Sequence, residues 1–560
     1  VIIGSRAGLH LGGSGADNHA NRNVIIGHNA ARGDNGPSIA KGHYSVVIGD
    51  QAQYHFKSGS QNVYMGYQSS YYNQNGNYNV TIGSGAGANA TGSSNTFVGY
   101  RSGKGGNSSA PFSSGGLNTA MGYEALDAFT TGNQNVAIGY QAATDLTTGY
   151  YSAYLGVQAG QNVTTGNNHV FIGFQAGNGV IDTSNKVAIG YRAGYADGGQ
   201  MDVHIGYEAG RNVTAGDNIS IGRSAGQGFH GVGQTEFQAN TTNRYNVSIG
   251  SYAGQRAIGQ NSVNVGYQAG WYATGSRNTF VGANAGTGGT TSTPYSSGTN
   301  NTAVGYRAFD GFTTGTNNTA MGSQALGQVT SGIGNVGIGY YANQRTTTGN
   351  YNISIGSEAY GFSTGERNIA MGYRASFNPH TVNDNIAIGH QSMYAIGGGQ
   401  YNFAFGTDAM YGHASAGTNS NNIAMGYRSM YQVGKGSENV AIGDQSMYVS
   451  HGGYNNTLVG KYTGRDMTHA YANSFFGHTA GEHVTTGYSN TLIGTGTGTE
   501  GSGSSFFENV YVGSAAGGYQ RNFGIDYAFL SSLNNSALGN HHLISLIISS
   551  NWIFSMLTAK

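Results

Sequence analysis

The chain has 560 residues, of which 98 are Gly, 40 Tyr, 4 Pro and none Cys; only 9% are charged, and 24 basic residues cancel 24 acidic ones. This balance leaves no basic surplus to neutralise a phosphate backbone, so nucleic acid is not an expected partner. The lack of Cys removes disulfide frameworks, thiolate metal sites and a Cys nucleophile, while scarce Pro and zero net charge exclude collagen and charge-driven disorder.

A repeat runs along the chain. Asn135-Val-Ala-Ile-Gly139 recurs as Asn318-Thr-Ala-Met-Gly322, Asn368-Ile-Ala-Met-Gly372 and Asn439-Val-Ala-Ile-Gly443. The closing glycine first falls at Gly4 and last at Gly539, in 30 copies; of the 29 intervals 15 are 17 residues and six are 16. The longer intervals, such as Gly222 to Gly250, read as loop insertions. The stretch from Thr96 resembles the stretch from Thr279, each with a lengthened interval containing a proline, Pro111 or Pro294, which points to a block duplication.

Each frame position has a physical reading. Apolar or β-branched residues lie one position either side of a variable middle residue, which is the period-2 signature of a short strand. The outer pair is therefore assigned to the core, with Ile26, Val136, Ile138, Val187, Ile189, Ile355, Ile388 and Ile442 as stacking residues. The middle site (Ala137, Tyr154, Phe171, His204, Ser220) is assigned to the outside. The strand-end glycines, among them Gly139, Gly190, Gly322 and Gly443, suit positive φ or a site with no room for a Cβ.

The small residue three positions on, usually Ala, implies close backbone approach. The asparagine four before the glycine (Asn135, Asn318, Asn368, Asn439) suits a turn, and stacked copies would form an amide ladder; Ser45, Ser152, His169, Lys186, Asp202 and Ser262 are exceptions. Tyr often follows the glycine. Tyr123, Tyr140, Tyr191, Tyr267, Tyr306, Tyr373 and Tyr427 are read as interchain packing or as an exposed aromatic strip.

One repeat cannot bury enough surface to fold alone, so stacking is required. The expected fold is all-β, a parallel β-solenoid of about 30 coils with about 17 residues per coil. Residues 1–517 form the expected shaft, beginning in mid-repeat at Val1 as though sequence precedes it. Residues 518–560 form a degenerate last repeat at Asn535–Gly539 and an apolar tail, Leu543 to Leu557, expected to cap the last coil or to touch a membrane or partner.

The Asn/Ser-Val-Ala-Ile-Gly core resembles the head repeats of YadA-like trimeric autotransporter adhesins and similar repeats in phage tail-fibre proteins, over Val1 to about Gly517. The resemblance implies a left-handed β-roll, three chains wound side by side as a homotrimer, and a fibre displayed outside the cell on a virion or cell surface. Host or environmental glycans are the expected further partners, contacted multivalently.

Motifs for chemistry are weak. Gly222-Arg-Ser-Ala-Gly226 matches a nucleophile elbow, but neighbouring copies read Gly206-Tyr-Glu-Ala-Gly210, so Ser224 fills a variable turn site. Gly12–Asp17 resembles a lone calcium nonapeptide. His169 and His204 sit in the strand frame and are read as solvent-facing or interchain, and no carboxylate cluster stands out. No catalytic residue, metal site or cofactor is expected. An ice- or crystal-surface binder and a polysaccharide-degrading solenoid enzyme are the competing functions.

Overall fold

A computed structural model describes residues 1–10, 22–33, 42–106, 112–228, 243–289, 296–361, 365–378, 382–412, 419–499, 504–517 and 524–526. The chain divides into two units, Val1–Asn284 and Ala285–Lys560. Among the described residues there is no helix, and every repeat glycine from Gly4 to Gly513 directly follows a short strand. The copy ending at Gly539, the tail Leu543 to Leu557, the prolines Pro111 and Pro294, and the nonapeptide-like Gly12–Asp17 lie outside the described residues.

In the first unit each strand pairs in parallel with the next, from Ile2–Ile3 to Thr279–Val281. The register is frame to frame: Val136 lies beside Ala153, Ala137 beside Tyr154 and Ile138 beside Leu155. Ile219–Ile221 pairs directly with Val247–Ile249, so the 28-residue interval between Gly222 and Gly250 leaves the stack in register. This is a parallel β-solenoid with a spacing of about 17 residues per turn.

The second unit repeats the arrangement from Thr302–Val304 to Asn509–Val512. It adds short parallel strands on the turns, including His469–Tyr471, Val484–Tyr488 and Ser504–Phe507. Gly524–Asp526 then pairs antiparallel with Asn509–Val512, which covers the free edge of the last parallel strand.

The strand faces are the reverse of the sequence expectation. Ala137 is fully buried, whereas Val136 and Ile138 are 36% and 38% exposed. Ile26, Val187, Ile189, Ile355, Ile388 and Ile442 are likewise not core residues but half-buried on the outer face. The middle residues Tyr154, Phe171, His204 and Ser220 point inward and are buried. The reason is the size of the coil. A turn this short encloses room for few side chains, and these come from the middle of the strand and from three, four and seven positions after the glycine, as with Ala137, Ala142, Ala143 and Leu146.

Within each coil two of these positions trade volume. Where the middle residue is large, the residue four after the glycine is commonly Gly: Phe97 with Gly103, Tyr154 with Gly160, Phe171 with Gly177, Phe475 with Gly481, though Tyr64 is paired with Ser70. A Cβ on Gly160 would overlap the Tyr154 ring, and one on Gly177 the Phe171 ring. Where the middle residue is Ala, its partner is commonly large: Ala120 with Leu126, Ala303 with Phe309, Ala441 with Met447. In these coils one large and one small residue share the interior, as close packing requires.

The strand-end glycine sets the distance between coils. Gly139 has φ 140, and a Cβ there would overlap the carbonyl oxygen of Gly156 in the next coil. Gly190, Gly322 and Gly443 face their successors in the same way. The small residue three positions on is equally confined, since Ala142 and Ala209 are fully buried.

The volume trade gives a test. Ala120→Phe alone overpacks the coil and should cost about 1–3 kcal/mol, and Leu126→Gly alone leaves a cavity worth about 2–5 kcal/mol. The double variant recreates the Phe97/Gly103 pairing, so amide exchange around 119–142 should return close to wild type. Additive losses in the double variant would contradict the trade.

Candidate functional site

Two features of the coil carry chemistry: a polar column inside and apolar and aromatic columns outside. The inner column is the asparagine ladder. The backbone N–H of Asn135 donates to Asn118 Oδ1 at 3.0 Å, and Asn135 Nδ2 donates to Asn118 Oδ1 at 3.2 Å and to the Gly149 carbonyl at 2.8 Å. Asn318, Asn368 and Asn439 repeat the pattern. These amides are buried, so they are internal ties and not a recognition surface.

In the first unit the ladder is interrupted by four consecutive coils carrying Ser152, His169, Lys186 and Asp202 at the asparagine position. In the coil beginning at Lys186 both trading positions are small, Ala188 and Gly194. A polar cluster fills that space. Lys186 Nζ lies 2.7 Å from Asp197 Oδ2 and 3.9 Å from Asp202 Oδ2, and donates to the Asp197 carbonyl at 2.8 Å. His204 Nε2 is 3.0 Å from Asp197 Oδ2. All four side chains are at most 2% exposed. A cation suits the space between Asp197, Asp202 and His204, and the cation there is the Lys186 ammonium.

From the sequence alone His169 and His204 are expected to face solvent or another chain, and no carboxylate cluster stands out. The structure corrects both: the two histidines are interior, and Asp197 and Asp202 meet inside one coil. The signal available was the run of four consecutive exceptions to the asparagine frame. Their partner Asp197 stands seven residues after Gly190, the interior position that Leu146 holds after Gly139, and only the fold shows that position to lie inside.

Burial and the neighbouring Asp197 charge push the Asp202 carboxyl up to about 7. Burial also acts on Asp197, but Lys186 and His204 outweigh it and hold that carboxyl below its ordinary range. His169, stacked on Phe171 at 4.7 Å, is pushed down to about 4 by burial and by the Lys186 charge.

The outer columns run along the strand face. Val170 lies beside Val187 and Ile172 beside Ile189, each pair in register, so the apolar pair of one coil abuts that of the next. The tyrosines after the strand-end glycine form a third column: Tyr123 and Tyr140 stack at 5.2 Å, and Tyr191 and Tyr207 at 4.9 Å. Tyr123, Tyr140, Tyr191, Tyr267, Tyr306, Tyr373 and Tyr427 are all exposed. Further columns lie five residues after the glycine, Phe377-Tyr394-Tyr411-Tyr431-Tyr448, and six before it, Tyr454-Tyr471-Tyr488. The sequence reading followed only the first of these columns.

Ser224 is buried at a turn with φ 52, the conformation that half-buried Gln141 has in its own coil at φ 53, and among the described residues no helix follows it. Among the described residues no helix is long and apolar enough to cross a membrane. No family model and no curated protein matches the chain.

The buried cluster makes opposite demands on pH. His169, with its folded value below the ordinary 6.5, loses stability as pH falls from about 6.5 to 4; Asp202, raised above 3.8, loses it as pH rises toward 7. Lys186 and Asp197 act on both groups, and His204 acts on Asp202. His169→Asn removes the acid-side loss alone, at most roughly 3 kcal/mol, and restores a frame asparagine. Its melting temperature should fall less than wild type between pH 6.5 and 4. Parallel melting profiles would contradict the assignment.

Proposed function

We propose that the chain is a non-enzymatic structural fibre protein that assembles side by side with copies of itself and displays its turns to surface glycans. The observation that carries this reading is the pair of in-register apolar columns on the outer strand face, from Val136 and Ile138 through Val170 and Ile172 to Val187 and Ile189. Monomers seldom expose continuous apolar patches beyond roughly a few hundred Å². A second chain laid along the columns would remove up to two apolar side chains per coil from water, at about 25 cal/mol per Å².

A threefold arrangement on a virion or cell surface follows from the resemblance of the repeat to trimeric adhesin heads and tail fibres. The stacked tyrosines fit the display role: runs of neighbouring coils repeat the same amphipathic ring at one spacing, so weak contacts with a repeating glycan would add by avidity. The carboxylate pair that the fold gathers is sealed inside a coil, away from any substrate, which favours a structural role over polysaccharide cleavage.

Sedimentation and native mass measurement test the assembly. The expected species is three times 58.0 kDa. Ile138→Asp together with Ile172→Asp should shift it toward the monomer while the β-sheet circular dichroism signal persists, because both side chains lie outside the coil. A wild-type monomer at every concentration, or loss of the fold in the double variant, would overturn the reading. A glycan array then asks which surface is engaged.

A further inference from the structure

We propose that Lys186 and Asp197 condense into an intramolecular isopeptide bond, which ties the coil internally where the asparagine ladder is broken. The geometry sets out each component. Nζ is held 2.7 Å from Asp197 Oδ2 and is fixed a second time by the Asp197 main-chain carbonyl. Asp197 Oδ1 accepts the Gly199 N–H at 2.9 Å, a donor placed to hold the oxyanion that forms when nitrogen adds to the carboxyl carbon. Oδ2, the oxygen that must leave, faces His204 Nε2 at 3.0 Å. Asp202 Oδ2 has no hydrogen-bond partner and faces Nζ at 3.9 Å, where it can take a proton from the ammonium.

The step balances without an oxidant or reductant. Nζ passes one proton to Asp202 Oδ2 and its lone pair adds to Cγ of Asp197. The C–Oδ2 bond breaks as the amide forms. The two protons lost by nitrogen both end on Oδ2, one through His204 Nε2 and one returned from Asp202, and the oxygen departs as water. An ammonium and a carboxylate become one neutral amide, so the net charge of the cluster is unchanged.

Two physical terms favour the reaction here. The reactants are held together before it starts, which replaces a bimolecular encounter by a fixed geometry. The product also removes two ions from a site that solvates them poorly. The raised carboxyl of Asp202 supports its part, since a group near neutrality can both accept and return a proton.

Mass spectrometry of the purified full chain, incubated at neutral pH, tests the proposal. The expected mass is one water below that of the sequence. Trypsin should then leave residues 105–192 joined to 193–211, less one water and uncut at Lys186. Lys186→Arg should restore the full mass, and Asp202→Asn should slow or abolish the loss. Asp197 precedes Gly198, so a succinimide would also lose water. A loss of water that persists in Lys186→Arg, or that appears without the joined fragments, overturns the proposal, as does a wild-type chain of full mass. The joined fragments from wild type decide the matter even if a variant fails to fold.

Discussion

A side chain that cannot be satisfied within its own coil holds the stack together. The frame asparagine lies inside, where water does not reach, and its amide needs partners. Those partners belong to other coils: the Oδ1 of Asn335 accepts the backbone N–H of Asn352, while its Nδ2 reaches the Gly349 carbonyl and Asn318 Oδ1. A slip of one residue would leave every one of these groups unpaired, and each buried orphan costs about 1–3 kcal/mol. In the second unit the run extends from Asn301 to Asn509 with an asparagine in every coil. Register is thus fixed by polar bonds as much as by apolar packing. The strand-end glycine permits it, since only a residue without Cβ lets the coils approach closely enough for the amides to meet.

This explains why the fold was legible in the sequence and the facing was not. Strand positions, parallel stacking and the amide ladder follow from spacing alone, because the frame Asn135-Val-Ala-Ile-Gly139 marks them. The facing was inferred from the rule that apolar residues go inside. That rule presumes that the chain's own interior is the place of burial. Here the coil is too narrow for Val136 and Ile138, and their apolar character points outward. The alternation was right and its phase reversed. The trade between Phe97 and Gly103, or Ala120 and Leu126, was also in the sequence, but only as a correlation between two positions whose proximity depends on the fold.

The interior of the first unit shows what happens when the frame is abandoned. Ser152, His169, Lys186 and Asp202 replace four asparagines in succession, and the space left by Ala188 and Gly194 takes a charged group. Buried ions of this kind rarely add net stability over an apolar filling. Their persistence in a chain that otherwise avoids charge is what directs attention to the chemistry of the cluster. Elsewhere low charge has a plain cause: identical positions one strand spacing apart would place like charges against one another.

The central claim is that the asparagine ladder sets coil register, and amide exchange in Asn335→Ala tests it most directly. The account predicts that the Asn352 amide, which donates to Asn335 Oδ1 at 2.9 Å, exchanges roughly ten- to a hundredfold faster than in wild type, with coils further along less affected. An Asn352 amide protected as well in the variant as in wild type would contradict it.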